Sequence, residues 1–221
     1  KIIIEHKYSP SAALAEARKN GYEVNFCERT LYNYIDEGLF VRLTNDDLPV
    51  KKIGRKRPYH HVRTAYNQKG KSIEERPEEA ENKEIFGHWE LDTVVGRQKT
   101  KAALMVMTER SKGIEIIRKI ESKSQECIVR ELDKLELRLG TKKFREIFKT
   151  ITCDNGCENL DFNGMEKSVI TNIPRTQVFY AHPYSAWERG ANECANKLIR
   201  RFIPKGSDIS KYSKKFIKYI Q

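Results

Sequence analysis

Nothing in these 221 residues reads as a secretory h-region or a membrane span, so a membrane partner is not expected. No glycine-rich phosphate loop occurs, and no Ser, His and acid set suggests a hydrolytic nucleophile. Cysteine is sparse, scattered and odd in number: Cys27, Cys127, Cys153, Cys157 and Cys194. That pattern excludes a disulfide framework and fits free thiols in a reducing, cytoplasmic setting. Cys153, Cys157 and Cys194 lack the spacing of a zinc knuckle. A tyrosine nucleophile is set aside too, because Tyr184 falls on an apolar helical stripe.

Acidic residues are missing from one whole stretch. Between Pro49 and Lys71 there are eight Lys or Arg and no Asp or Glu, in a chain of net charge +11. A surface built only for solubility mixes its signs. A one-signed run with Tyr59 and Tyr66 interleaved suits a phosphate backbone. Lys51, Lys52, Arg55, Lys56 and Arg57 are the candidate contacts, with Arg189, Lys197 and Arg200 nearer the C-terminus.

The first segment reads as two short helices. Ser9-Pro10 starts one and Gly21 stops it. Asn25 with Glu28 starts the next, and Gly38 ends it. Helix, turn, helix with Arg29, Tyr32 and Asn33 left outward resembles a helix-turn-helix, with Arg29 and Asn33 as candidate base contacts. Residues 43–84 show few apolar positions and no period, which predicts a basic, then acidic, linker or arm. Beyond it, strands are expected at His88–Val95, Ala102–Thr108, Ile114–Lys119, Phe148–Cys153 and Val178–Ala181. Helices are expected at Ser122–Leu139 and Ser185–Phe202, making an α/β sheet with helices packed on it.

Three carboxylates stand out on this frame. Asp92 lies in an apolar strand, Asp154 leaves a second strand before Asn155-Gly156, and Glu193 rides the last helix. Three acids on a sheet and an adjoining helix suit two Mg2+ ions, which stabilise the attacking and leaving oxygens of a phosphodiester displacement. An Asp before Asn-Gly is equally good turn chemistry, and that reading stays open for Asp154 alone. Glu188 stands three residues after Ser185 and has a capping-box role available; Glu193 has none. On the helix, Tyr184, Trp187, Ala191, Cys194 or Ala195, Leu198 and Phe202 repeat at three and four and are expected to face the sheet.

These residues resemble the DDE transposases of the bacterial insertion-sequence family numbered thirty. The resemblance rests on Lys71-Ser72-Ile73-Glu74-Glu75-Arg76-Pro77, on His88 to Gly96, on Asp154-Asn155-Gly156-Cys157-Glu158, and on the long run from His182 to Glu193 with Pro204 to Asp208 behind it. The family's usual spacing lands on Glu188, whereas the Arg189-Gly190-x-Asn192-Glu193 context points to Glu193. The resemblance implies a partial helix-turn-helix DNA-binding segment over 1–42, a basic then acidic linker over 43–84, and a ribonuclease H-like core over 85–221 that stops before the segment completing its last helix. It implies Asp92, Asp154 and Glu193 as catalytic triad and metal ligands, with two Mg2+ or Mn2+ ions. It also implies double-stranded DNA, both element ends and target, as partner, and a homo-oligomer in the synaptic complex. The rival expectation is a DNA-binding fragment without catalysis, acting as repressor or relic.

Overall fold

The structure is a computed structural model describing residues 2–48, 70–183 and 185–221. The run Lys51–Arg57 expected to meet phosphates lies outside the described residues, as does Tyr184. The chain forms two compact units, Lys1–Val62 and Arg63–Gln221.

The first unit contains α1 (Ile2–Glu5), α2 (Pro10–Lys19) and α3 (Glu28–Asp36). Ser9 caps α2 by accepting the Ala12 N–H, as its Ser-Pro start predicts. Gly21 and Gly38 end α2 and α3 with φ of 81° and 70°. In both caps the glycine N–H and the next N–H turn back onto the last helical turn, Gly21 to Arg18 and Tyr22 to Ala17, Gly38 to Ile35 and Leu39 to Tyr34. Only a residue tolerant of left-handed φ closes a helix this way. The α3 cap differs from expectation. Cys27, not Asn25, is the N-cap, and its side chain makes no cap hydrogen bond. Ile3, Leu14, Leu31, Ile35 and Leu48 bury together, which leaves Arg29 and Asn33 exposed on the other side of α3.

The second unit opens with β1 (Lys71–Ser72) and α4 (Glu78–Glu81). The sheet continues with β2 (His88–Val95), β3 (Ala103–Glu109), β4 (Glu115–Ile120), β5 (Thr150–Cys153) and β6 (Gln177–Tyr180). Its order is β1-β6-β5-β2-β3-β4. β2, β3 and β4 form an antiparallel meander; β5 pairs parallel on the other side of β2, and β6 parallel on β5. The helices are α5 (Gln125–Leu139), α6 (Thr141–Ile147), α7 (Phe162–Glu166), α8 (Gly190–Phe202) and α9 (Lys214–Ile220). A meander extended by two parallel strands, with helices on both faces, is the ribonuclease H-like arrangement expected. β1 falls inside the predicted linker over 43–84: Lys71 and Ser72 pair parallel with Phe179 and Tyr180. Two residues are too few for an alternating pattern to show in sequence.

Strand alternation divides the core in two. Trp89, Leu91, Met105, Met107, Ile151, Cys153 and Tyr180 pack against Ile128 and Leu132 of α5 and Phe144 of α6. Val94, Leu104, Val106 and Ile117 pack on the opposite face with Ala195 and Ile199 of α8, Ile209 and Ile217. Burying a Leu, Ile or Met side chain contributes about 1.5–3 kcal/mol, so both layers hold the sheet. Beneath α5, the buried Arg175 guanidinium binds Asp133, Glu136 and the carbonyls of Gly164 and Met165. That ties the α7 loop to α5.

The predicted stripe of the last helix is shifted. A 3-10 turn over Ala186–Arg189 precedes α8. Ala195 is buried and Phe202 packs against the same layer, as expected, but Asn192 and Ile199 are buried where Ala191 and Leu198 were expected, and Cys194 and Leu198 face solvent. The tighter turn takes three residues per revolution rather than 3.6, so the phase of the following helix moves.

Candidate active site

Asp92 and Asp154 arrive side by side because β2 and β5 are parallel and in register, Glu90 opposite Thr152. Both acids point to the α8 face of the sheet. The Arg189 guanidinium lies between them, 3.3 Å from Asp154 Oδ2 and 3.9 Å from Asp92 Oδ1. Asp92 also accepts the amide of Asn196 and the N–H of Thr93. Asp154 Oδ1 accepts from Gly156 N at 2.9 Å and from Asn159 Nδ2 at 2.8 Å. The turn role and the convergence role thus coexist in one carboxylate. Glu158, buried beside Gly156, pairs with Lys123 at 3.0 Å. Burial works against the charge of Lys123, but the Glu158 carboxylate more than offsets this and holds its pKa above the ordinary value.

The two glutamates of the last helix take different places. Glu193 is 59% exposed and pairs with Lys197 at 2.8 Å. It stands three residues before Asn196, on the same face of α8, and Asn196 reaches Asp92. Glu188 does not form the predicted capping box: the Ser185 side chain makes no cap bond. Glu188 instead accepts the His182 N–H at 2.8 Å and the His182 ring Nδ1 at 2.9 Å. This hydrogen bond raises the His182 pKa, with burial opposing it. Glu188 therefore has a structural employer, reached by a different bond from the one expected. The structure brings Asp92 and Asp154 together and leaves Glu193 at the rim. Of the expected DNA contacts, Arg189 binds the two Asp, Lys197 binds Glu193, and Arg200 donates to the Val95 carbonyl at 2.8 Å.

Sequence reasoning missed the support beneath these acids. Glu90, on the same face of β2 as Asp92, is buried; it pairs with Arg110 at 3.4 Å and accepts the Asn192 N–H at 3.0 Å. It fixes the first turn of α8, where free N–H groups favour a carboxylate. Burial raises the Glu90 pKa, while Asn192 N–H and Arg110 oppose it. Beside it the buried Arg76 donates to Thr152 and to Glu81. The signals in sequence were the period-two spacing that puts Glu90 on the Asp92 face, and two arginines, Arg76 and Arg110, each within two residues of acids, which sequence alone cannot separate from a solvated surface.

Among the described residues no three His, Cys, Asp or Glu side chains cluster as a ready metal cage. Asp92 and Asp154 nonetheless converge on one cationic group, so these two fit a divalent ion. Mg2+ asks for only one or two protein carboxylates and fills the rest of its shell with water and substrate phosphates.

The fold and this acid pair define a ribonuclease H-like α/β domain with two carboxylates at adjoining parallel strands. No protein-family profile matches the chain. It is similar to the probable transposase for the insertion-like sequence element IS1161 of Streptococcus salivarius, 36% identical over 194 residues, 86% of this chain and 51% of that one. It is 31% identical over 144 residues to the transposase InsI for insertion sequence element IS30C of Escherichia coli K12, covering 65% of this chain and 35% of that one. Among solved structures, the catalytic core domain of BIV integrase gives a TM-score of 0.38 at 17% identity, over 53% of this chain and 68% of that one. The chain thus spans about half, or less, of the length of these transposases. The sequence relatives bear out the resemblance: the chain is related to the transposases of the insertion-sequence family numbered thirty. No helix among the described residues is long and apolar enough to cross a membrane.

Proposed function

We propose that the protein is a transposase that binds the terminal inverted repeats of its element in the bacterial cytoplasm and catalyses metal-dependent strand cleavage and strand transfer. The observation that carries this reading is the convergence of Asp92 and Asp154 on one cationic group at the α8 face of the sheet. Asp92 and Asp154 would hold the two Mg2+ or Mn2+ ions, with Glu193 joining from the rim by exchanging Lys197. When bound, such ions stabilise the attacking and leaving oxygens of an in-line displacement. The chain's own residues do the positioning. Glu90 clamps the first turn of α8, Asn196 holds the Asp92 carboxylate, and Arg189 keeps the two acids together. Water attacks a phosphodiester at the element end and frees a 3′-hydroxyl, and that hydroxyl then attacks target DNA. Arg29 and Asn33 on α3 read base edges in the major groove, and a synaptic homo-oligomer joins the two ends.

The test uses a labelled duplex carrying an element end, with Mg2+ or Mn2+ added. Nicked product bearing a 3′-hydroxyl and joined product are expected from the wild type, and neither from Asp92→Asn or Asp154→Asn. The rival reading, DNA binding without catalysis, draws on the outward pairing of Glu193 with Lys197. It takes over if the wild type binds the end DNA and forms neither product.

A further inference from the structure

The outer edge of the sheet holds a groove of about 900 Å³, walled by β4, α5 and the segment from Ser210 through α9. Eight Lys or Arg line it against two Glu. Both acids are spent locally: Arg130 pairs with Glu121 at 3.0 Å and Lys134 with Glu131 at 2.6 Å. Lys119 ties the two walls together by donating to the carbonyls of Ser210 and Tyr212, at 2.6 and 2.8 Å. Arg138, Lys214 and Lys218 are exposed and enter no ion pair among the described residues.

We infer that this groove is a second binding site, for the phosphate backbone of duplex DNA flanking the acid pair. The inference rests on the proposed DNA chemistry and adds a location to it. Three observations support it. The groove carries an excess of six positive charges, which favours a polyanion. The cations recur at helical spacing, Lys134 and Arg138 on one wall and Lys214 and Lys218 on the other. Four residues rise about 6 Å, close to two phosphates of one strand at about 3.4 Å each along the duplex axis. The row of the sheet through Asp92 also runs across Val106 to Ile117 in the groove wall. That is two strand spacings, about 10 Å, well inside one duplex turn of about 34 Å. One DNA molecule therefore reaches both places. A second copy docking here through the same face would set like charges against each other.

The test measures binding of a 30-base-pair duplex of mixed sequence to the whole chain, without divalent ion, over a salt series. The variant is Arg138→Gln/Lys214→Gln/Lys218→Gln. The control, Lys142→Gln/Lys143→Gln/Arg145→Gln, removes equal charge from the exposed side of α6. The groove variant is expected to bind about tenfold more weakly near physiological salt, with the slope of log K against log salt shallower by up to about 2.7, roughly 0.9 per lost phosphate contact. The control is expected to lose clearly less. Unchanged affinity and slope in the groove variant, or an equal loss in the control, overturns the inference. So does a groove variant that alters self-association, or capture of an acidic peptide, while duplex binding stays intact. If the wild type binds no duplex at all, the underlying DNA reading fails first.

Discussion

Arg189 Nη2 lies 3.3 Å from Asp154 Oδ2, and the same guanidinium stands 3.9 Å from Asp92. A protein cation thus occupies the place between two acids where a divalent ion is proposed to sit. Close carboxylates repel when nothing positive separates them. Arg189 keeps them together in the metal-free protein, and it would compete with such an ion.

Arg189→Gln removes that cation. The metal-free variant is expected to lose about 1 kcal/mol or less of stability at pH 7, since the pair is partly solvated. Mn2+ should raise its melting temperature more than it raises that of the wild type. Urea denaturation at pH 7 and thermal melts with and without Mn2+ read these effects; equal urea midpoints would show that Arg189 does not hold the acids.

Glu193→Gln and Glu188→Gln separate the two candidate third acids. Glu193→Gln is expected to abolish cleavage and blunt the Mn2+-induced thermal shift while the fold survives. Glu188→Gln should leave the Mn2+ shift intact, because its carboxylate serves His182. The reverse pattern moves the third ligand to Glu188.

His182 offers a spectroscopic reading of the same contact. Its pKa is raised by the Glu188 hydrogen bond. A histidine raised in the fold adds stability that is complete below its unfolded pKa of about 6.5 and lost as pH rises through the folded value. In Glu188→Gln the ring resonances should titrate at a lower pH than in wild type, and this pH-dependent contribution should shrink. An unchanged titration curve would remove Glu188 from the role given to it here.

Glu115 predicts a pH effect of its own. Its pKa is pushed up to about 7, first by burial and further by Glu90, while a 3.0 Å hydrogen bond from Thr108 opposes the rise. The fold therefore prefers the protonated acid. Stability from this group is full below about pH 4.5 and falls as pH rises through about 7. Glu115→Gln, which can still accept from Thr108, should match wild type near pH 4 and exceed it at pH 8. Chemical denaturation at the two pH values decides.

Gly96 closes β2 against the strap that follows α8. A Cβ there would stand 2.5 Å from the Ser207 carbonyl oxygen, and the next N–H, that of Arg97, donates to the same oxygen at 2.8 Å. Backbone cannot step aside as a flexible side chain can. Gly96→Ala is expected to destabilise by about 1–3 kcal/mol, as overpacking does, with a matching fall in urea midpoint.

What the sequence made legible followed from local chemistry. β2 occupies the residues its apolar run predicts, and α5 shows its buried face at helical spacing behind a Ser cap. Asp92 and Asp154 were visible as acids in apolar strands. Their adjacency comes from a parallel pairing of residues 62 positions apart, which no local pattern encodes. The phase of α8 was misread because a 3-10 turn sets it, and helical periodicity assumes 3.6 residues from the start. Arg76 sits in a stretch rich in Glu that looks solvated, yet its guanidinium is buried because Glu81 and Thr152 receive it.

β1 is only Lys71 and Ser72, but it covers the outer side of β6, whose Val178, Phe179 and Tyr180 are buried. A shortened chain starting at residue 85, where the sequence suggests the domain begins, would strip that cover and also remove Arg76 from Thr152. It would present a bare, apolar strand edge, a template for pairing with other chains. Handling the domain by itself therefore calls for a start ahead of Lys71; a later one invites precipitation that says nothing about the proposed activity.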